Sequence, residues 1–222
     1  MRDSDSWRVD LNKTFRIDKK IVTDYFDKKQ HLVFGNESAR KEEKVLRPFI
    51  DRLESPSILD LGCGNGRWLR ILIEKCKRYV GVDISRNFIR KLKRDYKDNP
   101  KVQFFNMPVQ EYLSNESFDI ILMLGLITYM NDDEVMQLVK NCKNMLNRDG
   151  KIILRSVELK DDGCSRKVYD YNPNFIDRLL GRQAYQVIRR TKDEEMSFCR
   201  DFNLEHMSNI EGTGYIYYIL KK

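Results

Sequence analysis

Ile58-Leu59-Asp60-Leu61-Gly62-Cys63-Gly64-Asn65-Gly66-Arg67 decides the fold. Ile58, Leu59 and Leu61 make an apolar run, and glycines then stand at three alternate positions. Trp68, Leu69, Leu72, Ile73 and Cys76 follow at helical spacing. The stretch reads as a buried strand, a tight glycine turn and a helix. Such a turn brings bare backbone N–H groups and a helix N-terminus close to a ligand. Asp60 places a carboxylate just before that turn.

The carboxylate and the residue after the turn narrow the choice of ligand. The dinucleotide fingerprint G-x-G-x-x-G requires glycine at position 67, where this chain has Arg67. A phosphate-binding Walker loop requires Gly-Lys followed by Ser or Thr, which is absent. A pyrophosphate gains nothing from a neighbouring Asp. S-adenosylmethionine differs, because its methionyl end carries an ammonium and a sulfonium beside one carboxylate. Asp60 to Gly66 resembles the first motif of class I S-adenosylmethionine-dependent methyltransferases, roughly acidic-x-Gly-x-Gly-x-Gly. Asp83 lies 23 residues after Asp60 at the end of a second apolar run, Tyr79 to Ile84. An acid about 20 residues beyond such a loop accepts from both ribose hydroxyls.

The resemblance implies a cofactor site built from Asp60, Gly62, Cys63, Gly64, Asn65 and Gly66, with Asp83 and Ile84 at the second strand end. It also implies adenine contacts at Asn106, Met107 and Pro108, with Asn106 standing where the family often has Asp. Leu124 and Gly125 would back the methionyl part, and Tyr129 would face the methyl-transfer point. The implied product is S-adenosylhomocysteine. Tyr129 and His31 are the weak catalytic candidates, and His206 is expected to be structural. No metal is expected.

Outward from this stretch the chain alternates strands and helices. Val102–Phe105, Phe118–Met123 and Lys151–Arg155 read as further strands. Helices are expected over 86–97 and from Asn131, where Asn131-x-x-Glu134 makes a capping box. That alternation calls for βαβ units, a parallel sheet and helices on both faces. Leu204–Ile210 and Tyr215–Leu220 flank Glu211-Gly-Thr-Gly214, a hairpin signal that makes one terminal strand antiparallel. The fold class is therefore α/β: a three-layer, doubly wound, seven-stranded sheet, mostly parallel with one antiparallel terminal strand. The family resemblance implies the order 3-2-1-4-5-7-6.

One domain is expected over 1–222. It comprises an N-terminal helical cap (1–55), a cofactor-binding core (57–155), an insertion or lid lining the acceptor site (156–200) and a terminal hairpin (201–222). Residues 1–17 read as loosely ordered. Within the insertion, Tyr169-Asp-Tyr-Asn-Pro173 and Arg178, Arg182, Arg189 and Arg190 suit a sugar, a phosphate-bearing acceptor or a nucleotide, and equally a plain helical lid.

The five cysteines are scattered, odd in number and never in C-x-x-C spacing, which argues against a zinc cluster and a disulfide framework. No apolar run approaches the roughly 20 residues of a membrane span, and the first residues lack the order of a signal peptide. A cytoplasmic protein, monomer or homodimer, is expected. Net charge is +7, with the signs interspersed, which reads first as a solvated surface. The basic stripe Arg86, Arg90, Lys93, Arg94 and Lys97 is read the same way, and second as an anion-binding face. The expected activity is methyl transfer to a small-molecule or glycan-type acceptor. The alternatives are a nucleic-acid (RNA) methyltransferase and a non-catalytic interaction protein that kept the fold.

Overall fold

The computed structural model describes residues 7–10, 19–28, 36–157, 159, 166–171, 185–210 and 214–222. Its centre is strand β2 (Ser57–Leu61), wholly buried and parallel to β3 (Arg78–Asp83) on one side and β5 (Phe118–Leu124) on the other. Beyond these lie β4 (Val102–Asn106), β6 (Leu146–Val157) and the hairpin strands β9 (Asn203–Ile210) and β10 (Tyr215–Lys221). The sheet runs β4-β3-β2-β5-β6-β10-β9, which is 3-2-1-4-5-7-6 when its seven strands are counted alone. β10 is antiparallel to both β6 and β9, as the hairpin signal requires. Strand order reverses at β2, so the crevice lies between the carboxyl ends of β2 and β5.

The strands are apolar on both faces because helices cover both. Ile58, Ile120 and Ile153 pack with Leu46 and Ile50 of α2 (Asn36–Ile50), Leu69 and Leu72 of α3 (Arg67–Leu72), and Leu92 of α4 (Arg86–Asp95). Their neighbours Leu59, Ile121 and Ile152 face the other way. They meet Val135, Leu138 and Cys142 of α5 (Asp132–Met145), with Cys199 beside α6 (Lys192–Phe198). The period-two alternation along each strand thus feeds two cores. α5 opens with the anticipated capping box: Glu134 N donates to Asn131 Oδ1 at 3.0 Å, and Asn131 N to Glu134 Oε2 at 2.9 Å.

A second sheet was not anticipated. β1 (Trp7–Asp10), β7 (Arg166–Tyr171) and β8 (Tyr185–Arg190) form a three-stranded antiparallel sheet in the order β1-β7-β8. Residues 7–10, expected to be loosely ordered, are therefore a strand, paired from Trp7↔Tyr171 to Asp10↔Val168. β8 is fastened to the turn after β5 by Thr128 Oγ1, which donates to Ile188 O at 2.8 Å. Val187 packs there with Ile21 and Phe26 of α1 (Lys19–Lys28) and with Tyr129. The cover sheet and α1 thus meet at the carboxyl end of β5. Among the described residues no helix is long and apolar enough to cross a membrane.

Candidate functional site

The glycine loop hangs from the end of β3. Gly62 N and Cys63 N both donate to Val82 O, at 2.8 and 3.1 Å. All three loop glycines have positive φ, 77°, 53° and 76°, which a side chain would strain. At Gly66 a Cβ would also lie 2.6 Å from Leu92 Cδ2, so the turn is packed tightly against α4. At Gly64 the reverse holds: a Cβ would meet nothing within 4 Å. The backbone at Gly64 faces open space. Cys63 turns inward, its Sγ 3.0 Å from where a Cβ on Gly81 would stand. Burial, then the charges of Asp83 and Asp60, push its thiol well above the usual range, which removes it as a nucleophile.

Two acids flank this loop. Asp83 Oδ2 accepts from Gly64 N and Oδ1 from Ser85 N, each at 2.8 Å, so one carboxylate ties the loop to the cap of α4. Asp60 is 3% exposed and accepts from the Tyr79 hydroxyl. Burial pushes its carboxyl up to about 7; the Tyr79 bond works the other way, and the charge of Asp83 adds to the rise. Tyr79 was read only as a strand residue. A buried tyrosine needs a partner for its hydroxyl, and that was the available signal.

Beside Asp83, Asn106 Nδ2 donates to Asp83 O at 3.1 Å and to Ile84 O at 2.8 Å. This fixes the amide with its nitrogen towards β3, and Met107 N reaches the same Asp83 carbonyl at 3.2 Å. Asn106 is exposed, while Ile84, Met107 and Pro108 are half-buried, so a polar acceptor and apolar surface stand together at this strand end. On the far side of the crevice Gly125 N donates to Arg155 O at 3.0 Å. Glycine was expected here for close approach of a ligand. The neighbour seen is Arg155, whose Nη2 lies 2.3 Å from where a Cβ would stand.

Arg155 belongs to a buried cluster that sequence reading missed. Glu42 of α2 is 2% exposed. Its Oε1 accepts from Arg155 Nη1 at 2.7 Å and from the Tyr217 hydroxyl at 3.1 Å, and its Oε2 pairs with Arg67. Burial, then the charge of Arg155, lowers the Arg67 guanidinium to about 10. One carboxylate thus joins α2, the exit of the glycine loop, β6 and β10. Glu42 stands four residues before Leu46 on the apolar face of α2; that position was the signal, masked by the charged run Lys41–Lys44.

The catalytic candidates separate. Tyr129 is half-buried, edge-on to Phe26 at 5.2 Å and 81°, where α1 and β8 converge. His31 lies outside the described residues, as do Arg178 and Arg182. His206 sits on the outer strand β9 with its ring 5.1 Å from Phe49. β9 is four strands from β2, a distance of about 19 Å at the usual strand spacing. Arg190, read as an acceptor or surface arginine, is buried instead. It clamps Ile127 O at 2.9 Å, Met130 O at 2.7 Å and Asp132 Oδ1 at 2.8 Å. Among the described residues no group of three or more His, Cys, Asp or Glu is arranged to hold a metal.

Residues 58–150 match the family described as a methyltransferase domain. With the strand order and the acid-flanked glycine loop, this makes residues 58–150 a domain of the class I S-adenosylmethionine-dependent methyltransferase kind. Over its whole length it superposes on 1,6-didemethyltoxoflavin-N1-methyltransferase of Burkholderia thailandensis, solved with 1,6-didemethyltoxoflavin and S-adenosylhomocysteine bound. The TM-score is 0.74, at 18% identity and 97% coverage of that chain. The N-methyltransferase NodS of Bradyrhizobium japonicum, in complex with S-adenosylhomocysteine, gives 0.68 at 14% identity, covering 90% of this chain and 97% of that one. At these identities the likeness is one of fold. In sequence, a tRNA U34 carboxymethyltransferase of Photobacterium profundum is 30% identical over 128 residues, 55% of this chain and 38% of that protein. Phosphoethanolamine N-methyltransferase 3 of Arabidopsis thaliana is 25% identical over 148 residues, 64% of this chain and 30% of that protein. The chain spans at most half the length of these curated relatives.

Proposed function

We propose that this protein binds S-adenosylmethionine on the glycine loop and transfers its methyl group to a small-molecule or glycan-type acceptor. The observation that carries the reading is the open space at Gly64, flanked by Asp83 on the same loop N–H and by buried Asp60. A ligand bearing a diol and a cationic amino end fits that pair of acids; a pyrophosphate does not. When bound, the sulfonium supplies an activated methyl carbon with a good neutral leaving group.

The residues then divide the work. Asp83 accepts from the ribose hydroxyls, and Asp60 balances the amino end in a low-dielectric setting. Gly62, Gly64, Asn65 and Gly66 let the methionyl part lie close against the loop, whose N–H groups at Gly62, Gly64 and Gly66 are already donated to Val82 O, Asp83 Oδ2 and Cys63 O. Asn106, oriented by its two bonds to β3, turns its carbonyl oxygen to the adenine amino group, with Ile84, Met107 and Pro108 against the ring. Leu124 and Gly125 close the other side. Tyr129 stands at the acceptor end, where α1 and β8 narrow the opening. Holding the acceptor in line at short range is the main catalytic task, since orientation alone is worth many powers of ten.

Convergence of α1, β8 and the turn after β5 favours a small, enclosed acceptor. The bound 1,6-didemethyltoxoflavin of the structural neighbour supports the same reading. The second reading, an RNA acceptor, draws on the tRNA-modifying relatives. Calorimetry with S-adenosylmethionine and S-adenosylhomocysteine tests the donor half; absence of binding would sink the proposal. Asp83→Ala should weaken binding by about 1.5–3 kcal/mol. Gly64→Ala, which puts a methyl in the open space at a backbone cost of about 1–2 kcal/mol, should lower affinity about tenfold or more while the circular dichroism spectrum is kept. Labelled-methyl transfer to amine, sugar and RNA panels separates the two acceptor readings.

A further inference from the structure

The net charge of this chain is concentrated. Residues 86–101 hold seven basic and two acidic residues, a net +5, against +7 for all 222. The other 206 residues together carry only +2. Arg86, Arg90, Lys93 and Arg94 recur at helical spacing along α4, and Lys97 continues the line, giving a stripe about 16 Å long. Asp95 and Asp98 pair with Lys91, Arg94 and Lys97. Arg86, Arg90, Lys93 and Lys101 make no ion pair with any described residue.

The stripe borders a groove of about 330 Å³ between α4 and the outer strand β4. Lys93, Tyr96, Lys97, Asn99, Gln103 and Phe104 line it. The Tyr96 ring packs partly against the core and leaves the rest of its surface open to the groove, 6.3 Å from Phe104. A row of exposed cations beside a groove with an accessible aromatic ring is how proteins hold single strands: charge follows the phosphates and the ring stacks a base. We propose that the α4–β4 edge binds a single-stranded nucleic acid.

Other anionic partners fit less well. A membrane-binding helix must put its apolar face into the bilayer, but Phe88, Ile89 and Leu92 of α4 are buried in the core. Among the described residues, none of the large exposed apolar side chains, Leu113, Met136, Leu204 and Met207, lies on this edge. An acidic peptide would use the charge and leave the groove without a role. The groove runs along Val102–Phe105, which pair with Tyr79–Val82, at the sheet edge away from the ends of β5 and β6, so it stands whatever the acceptor is.

The test is fluorescence anisotropy with labelled oligouridylate and oligothymidylate across a salt series. Four phosphate contacts give a log–log slope of about −3, from roughly 0.7 per contact on single strands. Reversing the stripe with Arg90→Glu, Lys93→Glu and Lys97→Glu together should reduce binding about a hundredfold, with S-adenosylmethionine affinity by calorimetry unchanged as the check on folding. Tyr96→Leu keeps apolar packing and should weaken binding about fivefold or more at an unaltered slope. No binding at about 50 mM salt, or binding indifferent to the triple variant, would overturn the proposal. So would equal affinity for anionic vesicles, or a Tyr96→Leu variant that binds as tightly as the wild type.

Discussion

Asp60 carries the sharpest pH dependence in the site. Its carboxyl sits at about 7 when folded, chiefly through burial, against an ordinary 3.8. A carboxyl raised in this way stabilises the folded chain at low pH, and the contribution fades as pH rises from about 4 to about 7. A cationic ligand acts in the opposite sense, because it favours the carboxylate. Donor affinity should therefore fall as pH drops below about 7, by up to about tenfold per unit. Asp60→Asn should flatten that profile and raise the melting temperature of the ligand-free protein by a few degrees at about pH 8. Glu195, also lifted to about 7 by burial, lies on the opposite face with Ser156 and Tyr218, so the Asn variant separates the two. A wild-type binding profile flat between about pH 5.5 and 8 would remove Asp60 from the donor site. Asp60 and Asp83 were legible because motif spacing exposes them; Tyr79 and Arg155 were not, because their roles depend on contacts between strands.

Among the elements, α2 shows how far local pattern reaches. Its helical period is plain, yet Glu42 and Glu43, adjacent and alike in sequence, have opposite fates. Glu43 pairs with Arg47 one turn on, at 2.7 Å and half-exposed. Glu42 is buried against two arginines and a tyrosine. Removing the charge of a buried partner leaves the remaining ions uncompensated. Glu42→Gln should cost about 3 kcal/mol, whereas Glu43→Gln should cost under about 0.5 kcal/mol, both read by chemical denaturation. Equal effects would mean that the Glu42 cluster adds nothing beyond a surface pair. Through Arg67 the first variant should also loosen the glycine loop and weaken donor binding. The capping box of α5 was legible in full because both partners lie within four residues; a second box, Thr191 with Glu194, opens α6 and was overlooked beneath the arginine-rich run before it.

At the scale of the whole molecule, the seven-stranded sheet follows from alternating strands and helices, and the reversed strand from Gly212 and Gly214 in the hairpin sequence. Short βαβ crossovers leave few topologies open, which is why this part could be anticipated. The cover sheet obeys no such rule. Trp7 pairs with Tyr171 across most of the chain, and neither segment has a turn or a period that names the other. That span has a kinetic meaning. Parallel strands joined by single helices close short loops, while β1 can dock only after β7 and β8 exist and their distant ends have met. The roof should therefore assemble last on a finished floor and be the first part to open. Amide hydrogen exchange read by mass spectrometry should find β2, β3 and β5 released only by global unfolding, and β1, β7 and β8 at lower free energy. A protein whose two sheets exchanged in step would instead fold as one unit.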